Sequence, residues 1–203
     1  MFASRRLTFS ETKSQVGWYR TSECLWSSTT EIRGKVTLND HYEDLKEFFV
    51  GTLGVKMLTL QMVFDELTQP NPRKTTDEVK STIWSFNELL QTEPTSLDPT
   101  RLLKACVFPI RYPNGTVTLS SATTEFAIAD REYLDLRFRG LIKLLDYGME
   151  DVRHLKPFFE WANLTRRYLS FAVRETTFVE RGNTRPIMTP NRDLKRKAYA
   201  LLR

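Results

Sequence analysis

Apolar residues recur at helical spacing in the first half of the chain and predict three helices. The first is expected to follow Asn39-Asp40, and its end is marked by Gly51 and Gly54. Its apolar side comprises Tyr42, Leu45, Phe48, Phe49 and Leu53. The paired aromatics Phe48 and Phe49 are expected to be core residues, with a protein-binding groove as the alternative.

The second and third helices have clearer boundaries. The apolar face of the second comprises Leu60, Val63, Phe64 and Leu67, and Pro70 is expected to end it. Thr75–Glu78 has the spacing of a capping box and is expected to begin the third. The apolar face of the third comprises Val79, Ile83, Phe86 and Leu90. Connections this short favour a helical cluster with a shared core.

The pattern changes after 92–99, which lies in a stretch rich in Pro, Thr and Ser. Two strand-like runs, 104–112 and 116–120, flank an Asn-Gly pair at 114–115, and this pair predicts a β-hairpin because both residues tolerate positive φ. Pro109 lacks an N–H group, so the first of these strands is expected at a sheet edge or with a bulge.

Shorter elements are predicted for the rest of the second half. Strands are expected at 126–129 and 142–145, and a helix at 131–138. Helical turns from 150 to 162 are expected to be interrupted or kinked near Pro157. The aromatics Phe158, Phe159 and Trp161 are likewise expected in the core, with a protein-binding groove as the alternative.

The C-terminal residues predict one more helix, which is amphipathic and basic. Thr189-Pro190 has the pattern of an N-cap followed by proline at the first helical position. The apolar face of this helix comprises Leu194, Ala198, Leu201 and Leu202. No C-cap signal precedes Arg203, which favours a chain cut from a longer polypeptide, or a partner that covers these four residues.

These patterns together predict an α+β fold: an N-terminal helical cluster followed by a small mixed unit with a β-hairpin and several helices. The expected divisions are a helical cluster at 1–91, a linker at 92–99, a small α+β unit at 100–188 and the basic amphipathic helix at 189–203.

Charge adds one local feature to this picture. The net charge of the 203 residues is +5, but seven basic residues and one acid lie between Arg181 and Arg203, which leaves 23 basic and 24 acidic residues before them. A candidate basic patch comprises Arg192, Arg196 and Arg203, opposite the apolar face of the last helix, with Lys195 flanking them. Such a patch can follow a nucleic-acid backbone, whereas the simpler interpretation is a solvated helix face docked by its leucines.

The sequence carries no recognisable catalytic, cofactor or metal motif. Phosphate-binding glycine loops and the nucleophile elbow are absent, and His41, His154, Cys24 and Cys106 form no closely spaced ligand pair. His154 lies among charges typical of a solvated helix face, so a general-base role is the minor alternative. Four carboxylates are expected to be solubilising charge: Asp44, Glu47, Asp65 and Glu66.

No apolar segment is long enough to span a membrane, and the N-terminus does not have the pattern of a secretory signal. The two cysteines are therefore expected to be reduced, and the compartment to be cytoplasm or nucleus.

Five stretches of the chain carry a family resemblance: Cys24–Ser27, Tyr42–Val50 with Leu53–Val55, Phe108–Gly115, Phe126–Asp130 and Pro190–Ala200. They resemble an internal region of large fungal proteins related to sacsin and the plant NO VEIN protein, which carry a GHKL-type ATPase module near the N-terminus. The ATP-binding signatures of that module are absent here. The resemblance therefore implies a non-catalytic region after the ATPase.

The sequence thus predicts a non-enzymatic scaffold or protein-interaction segment of a larger chaperone-like, ATPase-containing protein. Its partners would be other domains of that protein or a separate protein. The alternative is a nucleic-acid-binding module that uses the C-terminal helix, and an enzyme dependent on His154 is a third hypothesis.

Overall fold

A computed structural model of the chain describes residues 6–11, 16–27, 30, 32–70, 74–92 and 96–174. The fold is α+β, as predicted: several helices surround three small sheets. None of the helices in these ranges is both long and apolar enough to cross a membrane. Of the predicted elements, the end of the α+β unit at 175–188 and the helix at 189–203 lie outside the described residues.

The first sixty residues contain five strands that the periodicity did not predict. They are β1 (Arg6–Glu11), β2 (Val16–Arg20), β3 (Cys24–Trp26), β4 (Val36–Thr37) and β5 (Lys56–Met57). β1 and β2 form an antiparallel hairpin, whereas β3 lies between β4 and β5 and pairs in parallel with both. Three of these strands are only two or three residues long, too short to show the alternation on which a prediction depends.

The first predicted helix is present as an irregular helical run, 39–52, that connects the parallel strands β4 and β5. It begins as α1 (Asn39–Tyr42), continues through a 3₁₀ turn and ends as a π-helix, Glu47–Thr52. The Leu53 N–H donates to the Phe48 carbonyl at 3.0 Å, five residues back. The run packs on β3 through Phe49, whose ring centroid lies 6.0 Å from that of Trp26.

The next two helices, α2 (Leu60–Thr68) and α3 (Thr76–Thr92), confirm the predictions for this region. The capping box is also confirmed: the Thr75 N–H donates to Glu78 Oε2 at 2.8 Å, and the Glu78 N–H donates to Thr75 Oγ1 at 3.3 Å. These two bonds satisfy main-chain donors that the first turn of a helix otherwise leaves free.

The remaining elements form the second half. They are α4 (Thr100–Lys104), β6 (Phe108–Arg111), β7 (Val117–Ser120), α5 (Glu132–Phe138), β8 (Leu144–Leu145), α6 (Met149–His154), α7 (Lys156–Trp161) and α8 (Leu169–Ala172). The hairpin of β6 and β7 is confirmed, and its turn holds Gly115 at a φ of +85°. The predicted interruption near Pro157 is confirmed too, because α6 and α7 are separate helices.

Two details of the predicted sheet are wrong. β6 is the central strand, between β7 and β8, although it contains Pro109. The Asp146 N–H donates to the Pro109 carbonyl at 2.7 Å, so the main-chain polar groups of Pro109 point toward the side of β8. Asp146 is the first residue after β8, so Pro109 lies opposite a position where that strand has already ended. The missing N–H therefore removes no bond of the sheet. The second error is 126–129, which forms only isolated bridges at Ala127 and Ile128.

One large core joins α2 and α3 to the second half. Its fully buried residues include Phe86 of α3 together with Phe108, Phe158 and Phe159. The Trp161 indole N–H also donates to the Leu97 carbonyl at 3.2 Å. The segment 92–99, predicted as a linker, thus connects two parts that share this core.

Two smaller apolar clusters flank the large core. The first comprises Cys24, Trp26, Leu38, Phe49 and Val55, between β3 and the helical run 39–52. The second comprises Ala129, Leu134, Leu144 and Leu169, beneath α5 and α8. The buried Glu66 carboxylate in α2 accepts a hydrogen bond from the Arg33 N–H at 3.0 Å, so the N-terminal part is also held by polar contacts.

Candidate functional site

The hairpin of β1 and β2 exposes an aromatic pair. Phe9 and Trp18 are register partners across the two strands, and their rings meet edge to face with centroids 5.6 Å apart. A cross-strand aromatic pair stabilises a hairpin. Nevertheless Trp18 is 60% exposed, which is a large fraction for the largest aromatic side chain.

Tyr42 connects this hairpin to the helical run 39–52. Its hydroxyl donates to the Phe9 carbonyl at 2.8 Å, and its ring centroid lies 4.8 Å from that of Phe49. Phe49 in turn meets Phe48 edge to face, with centroids 5.4 Å apart. An unbroken series of contacts therefore leads from the exposed Trp18 to the exposed Phe48.

The middle of the helical run has no buried side. All six residues at 43–48 are exposed, including Leu45 and Phe48, which are three residues apart. The prediction that Phe48 belongs to the core is therefore wrong: Phe48 is 49% exposed and Phe49 only 5%. We use the name aromatic surface for the exposed side chains of Phe9, Trp18, Leu45 and Phe48.

Acidic residues surround the apolar part of this run. Within 39–52 there are four carboxylates, Asp40, Glu43, Asp44 and Glu47, and one lysine, Lys46. All five are exposed, and within the described part of the chain none of them is in an ion pair. The Leu45 and Phe48 part of the aromatic surface is thus bordered by net negative charge, although the chain as a whole is positively charged.

A second group of charged side chains lies between α3 and the sheet that contains β6. The buried Asp146 accepts hydrogen bonds from two cations, Lys80 Nζ at 2.7 Å and Arg111. These cations lie on α3 and β6, so the carboxylate joins a helix to the sheet. Lys80 Nζ also lies 5.4 Å from the ring centroid of Tyr147.

Tyr147 carries a buried hydroxyl that has no hydrogen-bond partner among the described residues. Burial, with smaller contributions from the Asp151 and Asp146 charges, raises the pKa of Tyr147 far above its ordinary value. A group held in its neutral form in this way fits a structural contact better than a proton-transfer step near neutral pH.

The other candidates from the sequence are dispersed. His154 is exposed, and its ring stacks on Trp84 with centroids 4.3 Å apart. Asp65 pairs with Arg101 on the surface, whereas Glu66 is 5% exposed and pairs with Lys74 Nζ at 2.6 Å. The prediction that Glu66 is solubilising charge is therefore wrong.

No metal centre is assembled where the structure is described: no three His, Cys, Asp or Glu side chains there could hold an ion. Cys24 is buried and Cys106 is exposed, and both are free thiols. Burial raises the pKa of the Cys24 thiol, which makes it a weak nucleophile.

The basic patch predicted from the sequence lies outside the described residues, as does the apolar face opposite it. The patch comprises Arg192, Lys195, Arg196 and Arg203, and the apolar face comprises Leu194, Ala198, Leu201 and Leu202. The sequence reasoning in turn missed Phe9 and Trp18. The signal that could have found them is two aromatics at matching distances from the turn of a hairpin, which is visible only once the hairpin is assumed.

The fold and the side chains described define an α+β domain with a buried ionic link and an exposed aromatic surface that acids border along the helical run 39–52. The chain belongs to the family described as Domain of unknown function (DUF8348), whose model matches residues 61–173, more than half of the 203 residues. No curated protein and no solved structure matches the chain. The ionic link lies within the matched segment, whereas the aromatic surface lies before it.

Proposed function

We propose that this chain is a non-enzymatic protein-interaction segment, a scaffold that binds a partner through the aromatic surface. The observation that carries the proposal is the exposure of Trp18 and Phe48 at the two ends of one series of contacts, made of three aromatic ring pairs and the hydrogen bond from the Tyr42 hydroxyl to the Phe9 carbonyl. Trp and Tyr are enriched among the residues that dominate binding energy at protein interfaces, because they bury a large area at little conformational cost.

The helical run 39–52 supports the same proposal. Most helices in proteins are stabilised by packing one apolar face, and a helix without such a face is marginal in water. Residues 43–48 contribute no buried side chain, yet Leu45 and Phe48 have the spacing of a helical ridge. A partner that covers this ridge would supply the missing packing, at about 1.5–3 kcal/mol for each large side chain it buries completely.

The wider context of the proposal comes from the sequence. The resemblance to sacsin-like and NO VEIN-like proteins suggests a chaperone-like, ATPase-containing polypeptide in which this segment binds other domains or a separate protein. The cytoplasm or the nucleus is the compartment that fits. An antibody against this segment tests the first part, because a native polypeptide of the size of the isolated chain, 23.8 kDa, would contradict membership of a larger protein.

The binding proposal is tested with the full chain as bait in an extract of the source cells. The bait is compared with a Trp18→Ser/Phe48→Ser variant and with a Leu136→Ser control, which removes an exposed leucine elsewhere, on α5. A thermal melt of each bait establishes that it is folded. We expect the same proteins on the unaltered chain and the control, and their loss from the double variant. Equal retention on all three baits would contradict the proposal.

The nucleic-acid alternative predicts that binding affinity depends on salt and on the basic patch. Affinity for nucleic acid would fall steeply with salt and with Arg192→Ala, Lys195→Ala and Arg196→Ala, and it would be unaffected by Trp18→Ser. Measurement of nucleic-acid binding at two salt concentrations therefore separates the two functions.

A further inference from the structure

We infer that the partner of the aromatic surface is a basic amphipathic helix, a segment that presents apolar side chains bordered by lysine or arginine. This inference rests on the proposed function and adds the chemistry of the partner. It follows from the distribution of charge around Leu45 and Phe48 and from the shape of the helical run that carries them.

The charge around the two apolar residues is one-sided. Asp44 precedes Leu45 directly, and Glu47 precedes Phe48 directly. With Asp40 and Glu43 they give the run 39–52 four exposed carboxylates against one lysine. A partner that covers the leucine and the phenylalanine must approach these carboxylates closely, and complementary charge favours such an encounter while like charge opposes it.

These carboxylates are free to pair, unlike some of the acids elsewhere in the described chain. Asp65 pairs with Arg101, Asp135 with Arg139, and Asp146 with Lys80 and Arg111. The four in the helical run have no such partner among the described residues. Their negative charge is therefore available to a second molecule.

The shape of the run favours a helical partner. Leu45 and Phe48 are three residues apart and form a short ridge, and ridges of this kind pack into the grooves of another helix. The π-helix at Glu47–Thr52 widens the run where Phe48 projects, and such irregular turns are common at functional sites. Tyr42, three residues before Leu45, donates a hydrogen bond to the Phe9 carbonyl, and Trp18 packs on Phe9.

Two synthetic helical peptides with the same leucine pattern test the inference, one with lysine and one with glutamate at the polar positions. Each carries a fluorophore, and its anisotropy is measured while the full chain is added at low salt. We expect the lysine peptide to bind at least about tenfold more tightly and to lose affinity as salt is added. General attraction to the whole chain would favour the glutamate peptide instead, because the net charge is +5.

Matched variants locate the contact. Glu43→Gln/Glu47→Gln is expected to weaken the lysine peptide about fivefold, a size typical of two exposed charges. Asp77→Asn/Glu88→Gln is the control, since it changes the net charge equally at two exposed positions of α3. Phe48→Ser is expected to weaken both peptides. Equal weakening by the two charge variants would overturn the inference.

Failure of the inference is distinguishable from failure of the proposed function. If neither peptide binds, or both bind equally, the basic amphipathic partner is ruled out. The proposed function is then decided by the extract experiment alone, that is, by whether proteins are retained on the unaltered chain and lost from the Trp18→Ser/Phe48→Ser variant. Proteins that depend on both residues, but whose contacting segment is acidic or neutral, would support the function and contradict the inference.

Discussion

The side-chain amide of Asn87 replaces a main-chain hydrogen bond at Phe158. The Phe158 N–H donates to Asn87 Oδ1 at 3.1 Å, and Asn87 Nδ2 donates to the His154 carbonyl at 3.2 Å. In an unbroken helix the Phe158 N–H would donate to the His154 carbonyl directly, because they are four residues apart. One buried side chain of α3 thus satisfies both groups where the chain breaks between α6 and α7.

Replacing Asn87 by alanine should therefore destabilise the domain strongly. The change leaves a buried N–H and a carbonyl without partners, and we expect a loss of about 2–3 kcal/mol in the free energy of unfolding. Gln91→Ala, at an exposed position of the same helix, should change it by less than about 0.5 kcal/mol. Urea denaturation followed by circular dichroism measures both values. Similar values for the two variants would mean that the Asn87 bridge contributes little.

The ionic link at Asp146 gives a second prediction. Asp146→Asn removes the charge that holds Lys80 and Arg111 together and leaves two neighbouring cations only partly exposed to water. We expect a loss of about 2–3 kcal/mol, below the full effect of breaking a buried pair because the cations retain some solvent. Chemical denaturation of the variant at neutral pH measures this loss.

An ion pair on the surface provides the comparison. Asp135→Asn breaks the pair with Arg139 one turn away on α5, where both side chains are more exposed. Such pairs are worth about 0.3–0.5 kcal/mol. If Asp135→Asn costs as much as Asp146→Asn, then the burial of Asp146 is not what makes its pairing important.

The unpartnered hydroxyl of Tyr147 leads to a third prediction, which concerns both stability and pH. Tyr147→Phe removes a buried polar group without a hydrogen bond among the described residues, so at neutral pH it should leave stability unchanged or raise it by about 1 kcal/mol. A loss of more than about 1 kcal/mol would indicate that the hydroxyl is satisfied in solution.

The same residue should make the domain sensitive to alkali. Burial raises the pKa of Tyr147 above the ordinary value of 10.0, so ionisation of this group leaves the stability of the domain unchanged below about pH 10 and lowers it as the pH rises further. Burial and the Glu160 and Asp130 charges also raise the pKa of Tyr168 to about 12. In thermal melts from pH 8 to 11, Tyr147→Phe should therefore reduce the alkaline destabilisation, and Tyr147→Phe/Tyr168→Phe should reduce it further.

Local pattern was sufficient for those parts of the fold that depend on neighbouring residues. The faces of α2 and α3, the capping box at Thr75 and the Asn114-Gly115 turn are set within one or two turns of chain. The strands β3, β4 and β5 were missed because two or three residues carry no period. Pro109 was predicted at a sheet edge because it has no N–H to donate to a neighbouring strand. Nothing in the local sequence shows that β8 ends one residue before the position opposite Pro109, so that no strand residue there requires this N–H.

The candidate site was less accessible from sequence for the same reason. Adjacent helical residues lie about 100° apart, so Phe48 and Phe49 point in different directions, but the periodicity does not say whether one of them is exposed or which one. The burial of Glu66 depends on Lys74 and the Arg33 N–H, and the role of Asn87 depends on residues about seventy positions away. Long-range contacts of this kind leave no trace in the spacing of residues.

The adjacent residues Phe48 and Phe49 give the final prediction, because they combine the same chemistry with opposite burial. Phe49 packs against Trp26 and Tyr42, and Phe49→Ala should cost about 3 kcal/mol or more through the cavity it leaves. Phe48→Ala should cost only about 1 kcal/mol, because its ring is half exposed. Urea denaturation of both variants measures the two losses.

Partner binding should rank the two variants in the reverse order of stability. Under conditions where both are folded, Phe48→Ala should weaken binding, whereas Phe49→Ala should retain it to the extent that the helical run 39–52 keeps its conformation. This order follows from the position of Phe48 on the aromatic surface and of Phe49 beneath it. If Phe48→Ala proved as destabilising as Phe49→Ala, Phe48 would be a packing residue. It would then no longer count as part of the aromatic surface, and the proposed binding site would lose its phenylalanine next to the carboxylates.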